Sequence, residues 1–127
     1  MKVLLSIKPK FAEKIFNGIK KYEYRKAIFK NPEISKIVVY ASSPIKKIIG
    51  EIEIEKIIFD TPNALWNKTS INSGVNKKFF FAYFVKRKMG YAIKIKSVNK
   101  YKKPINPHNV IDNFCAPQSF MYLKSEF

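Results

Sequence analysis

The run from Lys46 to Phe59, KKIIGEIEIEKIIF, constrains the fold of this chain more than any other segment. Within it Ile52 and Ile54 alternate with Glu51, Glu53 and Glu55, the period of two that sends successive side chains to opposite faces of a strand. Such a strand needs a sheet with one packed face and one wet face. The three glutamates are therefore expected to form a solvated edge or a ladder paired with lysines, in preference to a metal site.

Other segments carry the same signal. YAIKIKSV, which follows Gly90, alternates Tyr91, Ile93 and Ile95 with Ala92, Lys94 and Lys96, while KIVVYAS from Lys36 and the first residues, Met1 to Ser6, read as buried strands. From Lys21 to Lys26 the period is again two, with Tyr22 and Tyr24 on one face and Lys21, Glu23 and Arg25 on the other. Helical spacing marks three stretches. Pro9 opens one carrying Phe11, Ala12, Ile15 and Phe16, with Gly18 as its stop, and Thr61-Pro62 opens a second carrying Leu65 and Trp66. Val75 to Lys86 places Phe80, Tyr83 and Phe84 at core spacing. After Pro104 the prolines at 104, 107 and 117 exclude long helix or strand, and APQSFMYL reads as an ordered strap. The expectation is an α+β domain of five or six strands with two or three short helices.

At 127 residues the chain fits one domain, 1–127, with the strap over 104–127. No apolar run approaches the roughly 20 residues that cross a bilayer, so no membrane partner is expected. The apolar start Met1 to Leu5 is interrupted at Ser6 and Lys8, too short for a signal peptide, which points to the cytoplasm. Cys115 and His108 are each single, so no disulfide framework or Cys/His zinc site can form within one chain, and no metal or cofactor is expected.

Lys and Arg total 25 against 9 Asp and Glu, a net charge of +16 that favours a polyanionic partner. An AT-rich genome would supply many of these lysines by codon bias, yet it would supply glutamate as well. Nucleic acid is therefore the expected partner class. Arg25 is one of two arginines among many lysines, and its planar fork can grip a phosphate, a carboxylate or a base edge where lysine offers a point charge. Glu23 lies on the same strand face and can hold that fork, or the pair can be a salt bridge that only closes the fold. Lys20, at the helix exit beside apolar walls, reads either as a lysine with a lowered pKa or as a phosphate-neutralising cation. Tyr22 and Tyr24 read as stacking platforms or as core.

The order strand, helix, G-x-K-x-x-E-x-R at Gly18, Lys20, Glu23 and Arg25, then GYAIKI, resembles the ASCH domain, a small β-barrel of the PUA-like superfamily. LLSIKP at 4–9, VYASSP at 39–44, GEIEI at 50–54 and PQSF at 117–120 add to the likeness, whose motif-bearing part spans 1–98. The resemblance implies a PUA-like mixed barrel that binds RNA or a modified nucleoside in a cleft containing Ser6, Lys8, Lys20, Glu23 and Arg25, with Tyr40, Ser42 and Ser43 as walls. It also implies a second possibility, a metal-independent amidohydrolase acting on N4-acetylcytidine-like nucleosides, with Lys20 and Glu23 as catalytic groups. The chain departs from that pattern: Glu23 stands where those enzymes carry threonine, and no Asp or Glu occurs between Thr61 and Gly90. A regulatory protein-interaction module is the third class, with no protein partner indicated.

Overall fold

Six strands and three α-helices make up the computed structural model of the chain, which describes residues 1–124; the final positions of the expected strap, 125–127, lie outside the described residues. The first strand, β1 (Lys2–Ile7), runs into α1 (Pro9–Phe16), where Pro9 occupies the first helical turn and Lys8 is the N-cap residue. Gly18, at φ 85°, reverses the chain beyond this helix into β2 (Tyr22–Arg25). Then follow β3 (Lys36–Ala41), β4 (Lys47–Asp60), α2 (Pro62–Thr69), α3 (Lys77–Tyr83), β5 (Gly90–Ile105) and β6 (Phe120–Leu123). Thr61 Oγ1 and Asn76 Oδ1 accept hydrogen bonds from Ala64 N–H and Phe79 N–H, capping α2 and α3.

The strands form one six-stranded sheet in the order β2-β5-β4-β3-β1-β6. Only β1 and β3 pair in parallel, since α1 and β2 intervene between them; the other neighbours are antiparallel. The expected closed barrel is not what this pairing gives. β2 and β6 are edge strands of an open sheet, and no backbone ladder joins them among the described residues. Side chains do the bridging instead, because Arg25 of β2 donates to the carbonyl of Ser119, the residue that precedes β6.

β4 also differs from one half of its expectation. It lies inside the sheet between β3 and β5, so its glutamates are no edge; they form the ladder, with Glu51 on Lys2 at 2.8 Å, Glu53 on Lys96 at 4.0 Å and Glu55 on Lys94 at 2.9 Å. The strap contains a strand, β6, which pairs with β1 from Lys2↔Leu123 to Leu5↔Phe120. β5 is longer than its alternating part, carried to Ile105 by pairing with β4 through three register shifts.

The core is divided. Val3, Leu5, Ile7, Ala12, Ile15, Ile37, Val39, Ile52 and Ile93 pack between α1 and the sheet. Leu4, Val38, Tyr40, Ile48, Phe114 and Leu123 fill the opposite face under the C-terminal segment. Tyr24, Leu65, Phe80, Phe84 and Ala92 join α2 and α3 to β2 and β5. The tyrosine pair of β2 thus serves the core, with Tyr24 edge-on to Phe80 at 4.9 Å and Tyr22 packed at the margin.

Candidate functional site

A cleft of about 820 Å³ opens where the ends of β1 and β3, the α1–β2 turn, α3 and the strap converge. All seven residues expected from the sequence, Ser6, Lys8, Lys20, Glu23, Arg25, Tyr40 and Ser42, line it, and so does Ser43. The fold brings them together for a simple reason. β1 and β3 run in parallel with Ser6 beside Tyr40, so both strands end on one side, and the bulge between Val39 and Tyr40 sets the aim of the tyrosine.

Lys20 is buried to 2% exposure. Its Nζ donates to Ser73 O at 2.9 Å and sits 4.6 Å from the centre of the Tyr24 ring and 5.6 Å from that of Phe11. Burial drives its pKa down from 10.5 to about 8, against the pull of the Glu23 charge and helped by Lys14. Gly74, at φ 71°, is what lets the 73–75 segment lie on this lysine: a Cβ there would stand 2.5 Å from Lys20 Cβ.

Glu23 is 6% exposed and holds Arg25 through Oε2, 3.2 Å from Nη1. Arg25 spends its fork on the protein. Nη1 also donates to Ser6 O at 3.2 Å, and Nη2 donates to Ser119 O and Ser119 Oγ, both at 2.9 Å. Ser6 is committed as well, its Oγ donating to Pro117 O at 2.7 Å and its N–H to Ser119 O at 3.2 Å. The salt-bridge reading of Glu23 and Arg25 is therefore realised, and the pair fixes the strap that walls the cleft.

Several lining residues escaped the sequence reading. Phe79 and Tyr83 of α3 form an aromatic wall with Phe11, whose ring meets Phe79 at 5.2 Å. Lys26, Lys46 and Arg87 add cations; Lys26 Nζ lies 4.7 Å over the Tyr83 ring. Arg87 had a legible signal, being the other of two arginines in a lysine-rich chain. Lys46 had none, since it stands in a turn at φ 55° among many similar lysines. With Lys8, Lys20 and Arg25, the lining carries six cationic side chains against one carboxylate. Among the described residues no group of three His, Cys, Asp or Glu could hold a metal ion, and no helix is long and apolar enough to cross a membrane.

An α+β domain with an open six-stranded sheet, one parallel pair and a cleft at the strand ends has the architecture of ASCH proteins: the crystal structure of ASCH from Zymomonas mobilis superposes with a TM-score of 0.89 at 28% identity, covering 97% of this chain and 87% of that one. The chain belongs to the ASCH-like family described as a domain of unknown function, DUF365, which matches residues 1–114. An ASCH domain-containing ribonuclease of Zymomonas mobilis is 28% identical over 129 residues, 97% of this chain and 84% of that protein. Two proteins of Ureaplasma parvum serovar 3 contain a similar stretch. The ATP synthase subunit alpha is 32% identical over 96% of this chain, and the large ribosomal subunit protein uL22 is 29% identical over 96% of it. The chain spans 15% and 39% of the length of these two proteins. The N-terminal domain of McrB from Staphylothermus marinus shares the fold alone, at a TM-score of 0.54 and 14% identity.

Proposed function

We propose that the cleft binds RNA, with the phosphates held by the rim cations and an unpaired nucleotide accommodated against the aromatic wall. The observation that carries this reading is the surplus of six cationic side chains over one carboxylate around a space of about 820 Å³. Net charge +16 supports it from the scale of the whole chain, and the ribonuclease and ribosomal-protein relatives support it from their names. Because Arg25 and Ser6 are engaged with the strap, the phosphate-facing groups in this reading are Lys8, Lys26, Lys46 and Arg87. Their test is a titration of single-stranded and duplex RNA with the protein and with a Lys46→Glu/Arg87→Glu variant. Binding of the single strand should fall by about tenfold or more, while a Lys36→Glu/Lys96→Glu control, at the end of β3 opposite Tyr40 and Ser42, changes mainly the salt slope. Equal losses in the two variants would leave only a diffuse basic surface.

A second reading adds hydrolysis in the same cleft. Lys20 favours it, because an amine with a pKa of about 8 is partly neutral near physiological pH and can take a proton from a water or a ribose hydroxyl. Two substrates separate the possible reactions: an RNA strand, as the name of the Zymomonas relative suggests, and N4-acetylcytidine, whose acyl amide would be cleaved with Lys20 as base and Glu23 taking the proton towards the leaving amine. Turnover should rise with pH along a curve of midpoint about 8 and vanish in Lys20→Ala. Turnover untouched by Lys20→Ala would put the chemistry elsewhere.

A further inference from the structure

Glu23 has a feature that its pairing with Arg25 does not use. Its Oε2 receives Arg25, whereas Oε1 has no hydrogen-bond partner among the described residues. No fully buried side-chain oxygen or nitrogen among these residues lacks a partner, so Oε1, on a residue only 6% exposed, keeps its access through the cleft that Glu23 lines. A carboxylate oxygen accepts hydrogen bonds and donates none. It is also held rigidly, since Arg25 is itself tied to Ser6 and Ser119. The floor of the cleft therefore presents one fixed acceptor, buried enough that leaving it unmatched by a ligand that displaces its water is costly.

We infer that Glu23 is a base-reading residue that selects nucleotides whose base carries an exocyclic amine, such as cytosine and adenine, over uracil. The inference rests on the RNA-binding reading and deepens it. An amine of cytosine N4 or adenine N6 donates directly to a lone carboxylate oxygen. Uracil's one donor on that edge, the ring N–H, is flanked by two carbonyls, so bringing it to the carboxylate also brings a carbonyl oxygen of like partial charge close to it. Lys20, close enough to feel the Glu23 charge, offers the neighbouring donor to a ring nitrogen or a base carbonyl. The aromatic wall of Phe11, Phe79 and Tyr83 is indifferent to base identity, which leaves discrimination to this acceptor.

The test uses the intact protein and nucleoside 5′-monophosphates, read by competition against a labelled RNA. Cytidine and adenosine monophosphates should compete about tenfold better than uridine monophosphate, and N4,N4-dimethylcytidine monophosphate, which lacks the donor, should fall to the uridine level. Glu23→Gln, which supplies a donor as well as an acceptor, should bring the nucleotides to within about twofold of one another. The dimethyl analogue keeps the question answerable on the unaltered protein if that variant fails to fold. Equal competition by all four nucleotides would overturn the role of Glu23 while leaving RNA binding intact. Failure of the labelled RNA to bind would overturn both.

Discussion

Arg25 shows at the scale of one residue why arginine stands where lysine would be expected. Four hydrogen bonds from two terminal nitrogens reach Glu23, Ser6 and Ser119, and a single ammonium on a flexible stem cannot reproduce that fork. Arg25→Lys should therefore lower stability by about 1–3 kcal/mol, measured by urea unfolding, and should weaken RNA binding through loss of the strap's position. An unchanged midpoint with weakened binding would mean that Arg25 contacts the ligand directly. Lys20 predicts a pH signature. The unfolded chain holds this proton up to pH 10.5 and the folded chain releases it near 8, so the unfolded state binds more protons in between and stability rises with pH over that window. The cost of burying the charged lysine at neutral pH is on the order of 3 kcal/mol. Tyr24 acts in the opposite sense, because burial raises its pKa from 10.0 to about 12; its contribution is complete below pH 10 and is lost as pH climbs through 12. Thermal unfolding from pH 7 to 10 should show the rise, and Lys20→Met should flatten it.

Among elements, the turn before α3 is the most demanding. Gly74 adopts a left-handed φ of 71° with no room for a Cβ against Lys20, so Gly74→Ala combines backbone strain with a clash. A loss of at least about 1–3 kcal/mol is expected in urea unfolding, with the Lys20 midpoint moved towards its ordinary value as the 73–75 segment lifts. The charged ladder of β4 should matter far less. Glu53 and Glu55 meet Lys96 and Lys94 on a wet face, where such pairs contribute little, so Glu53→Gln should leave the unfolding midpoint nearly unchanged. These elements differ in how far they could be read in advance. The alternation of isoleucine with glutamate in β4, and the Pro9 and Thr61-Pro62 starts of α1 and α2, are local signals, and the structure keeps them. β6 carries no such signal: its four residues become a strand only because β1 offers an unpaired edge more than a hundred positions earlier in the chain. The open sheet was hidden for the same reason, since closure depends on whether β2 and β6 meet, and what reaches across from β2 is the Arg25 guanidinium, on Ser119 just before β6.

For the molecule as a whole, the cleft was legible where its residues belong to one motif. Gly18, Lys20, Glu23 and Arg25 sit within eight positions, and the parallel pairing that carries Tyr40 and Ser42 to them follows from the strand-helix order. The aromatic far wall was not legible, because Phe79 and Tyr83 lie more than fifty positions on and arrive through packing of α3 on β2 and α1. The strap closes the remaining side through Pro117 and Ser119. The central claim is that a nucleic acid sits in this cleft and not over the basic surface at large. Amide chemical shifts of the labelled protein, followed through a titration with a short single-stranded RNA at near-physiological salt, test it most directly. The account predicts that shifts concentrate at Ser6, Lys20, Gly74, Arg87 and Ser119, and that Lys36, Glu53 and Ser97, paired at the other end of β3, stay still; shifts spread over those residues, with Gly74 and Ser119 unmoved, would contradict it.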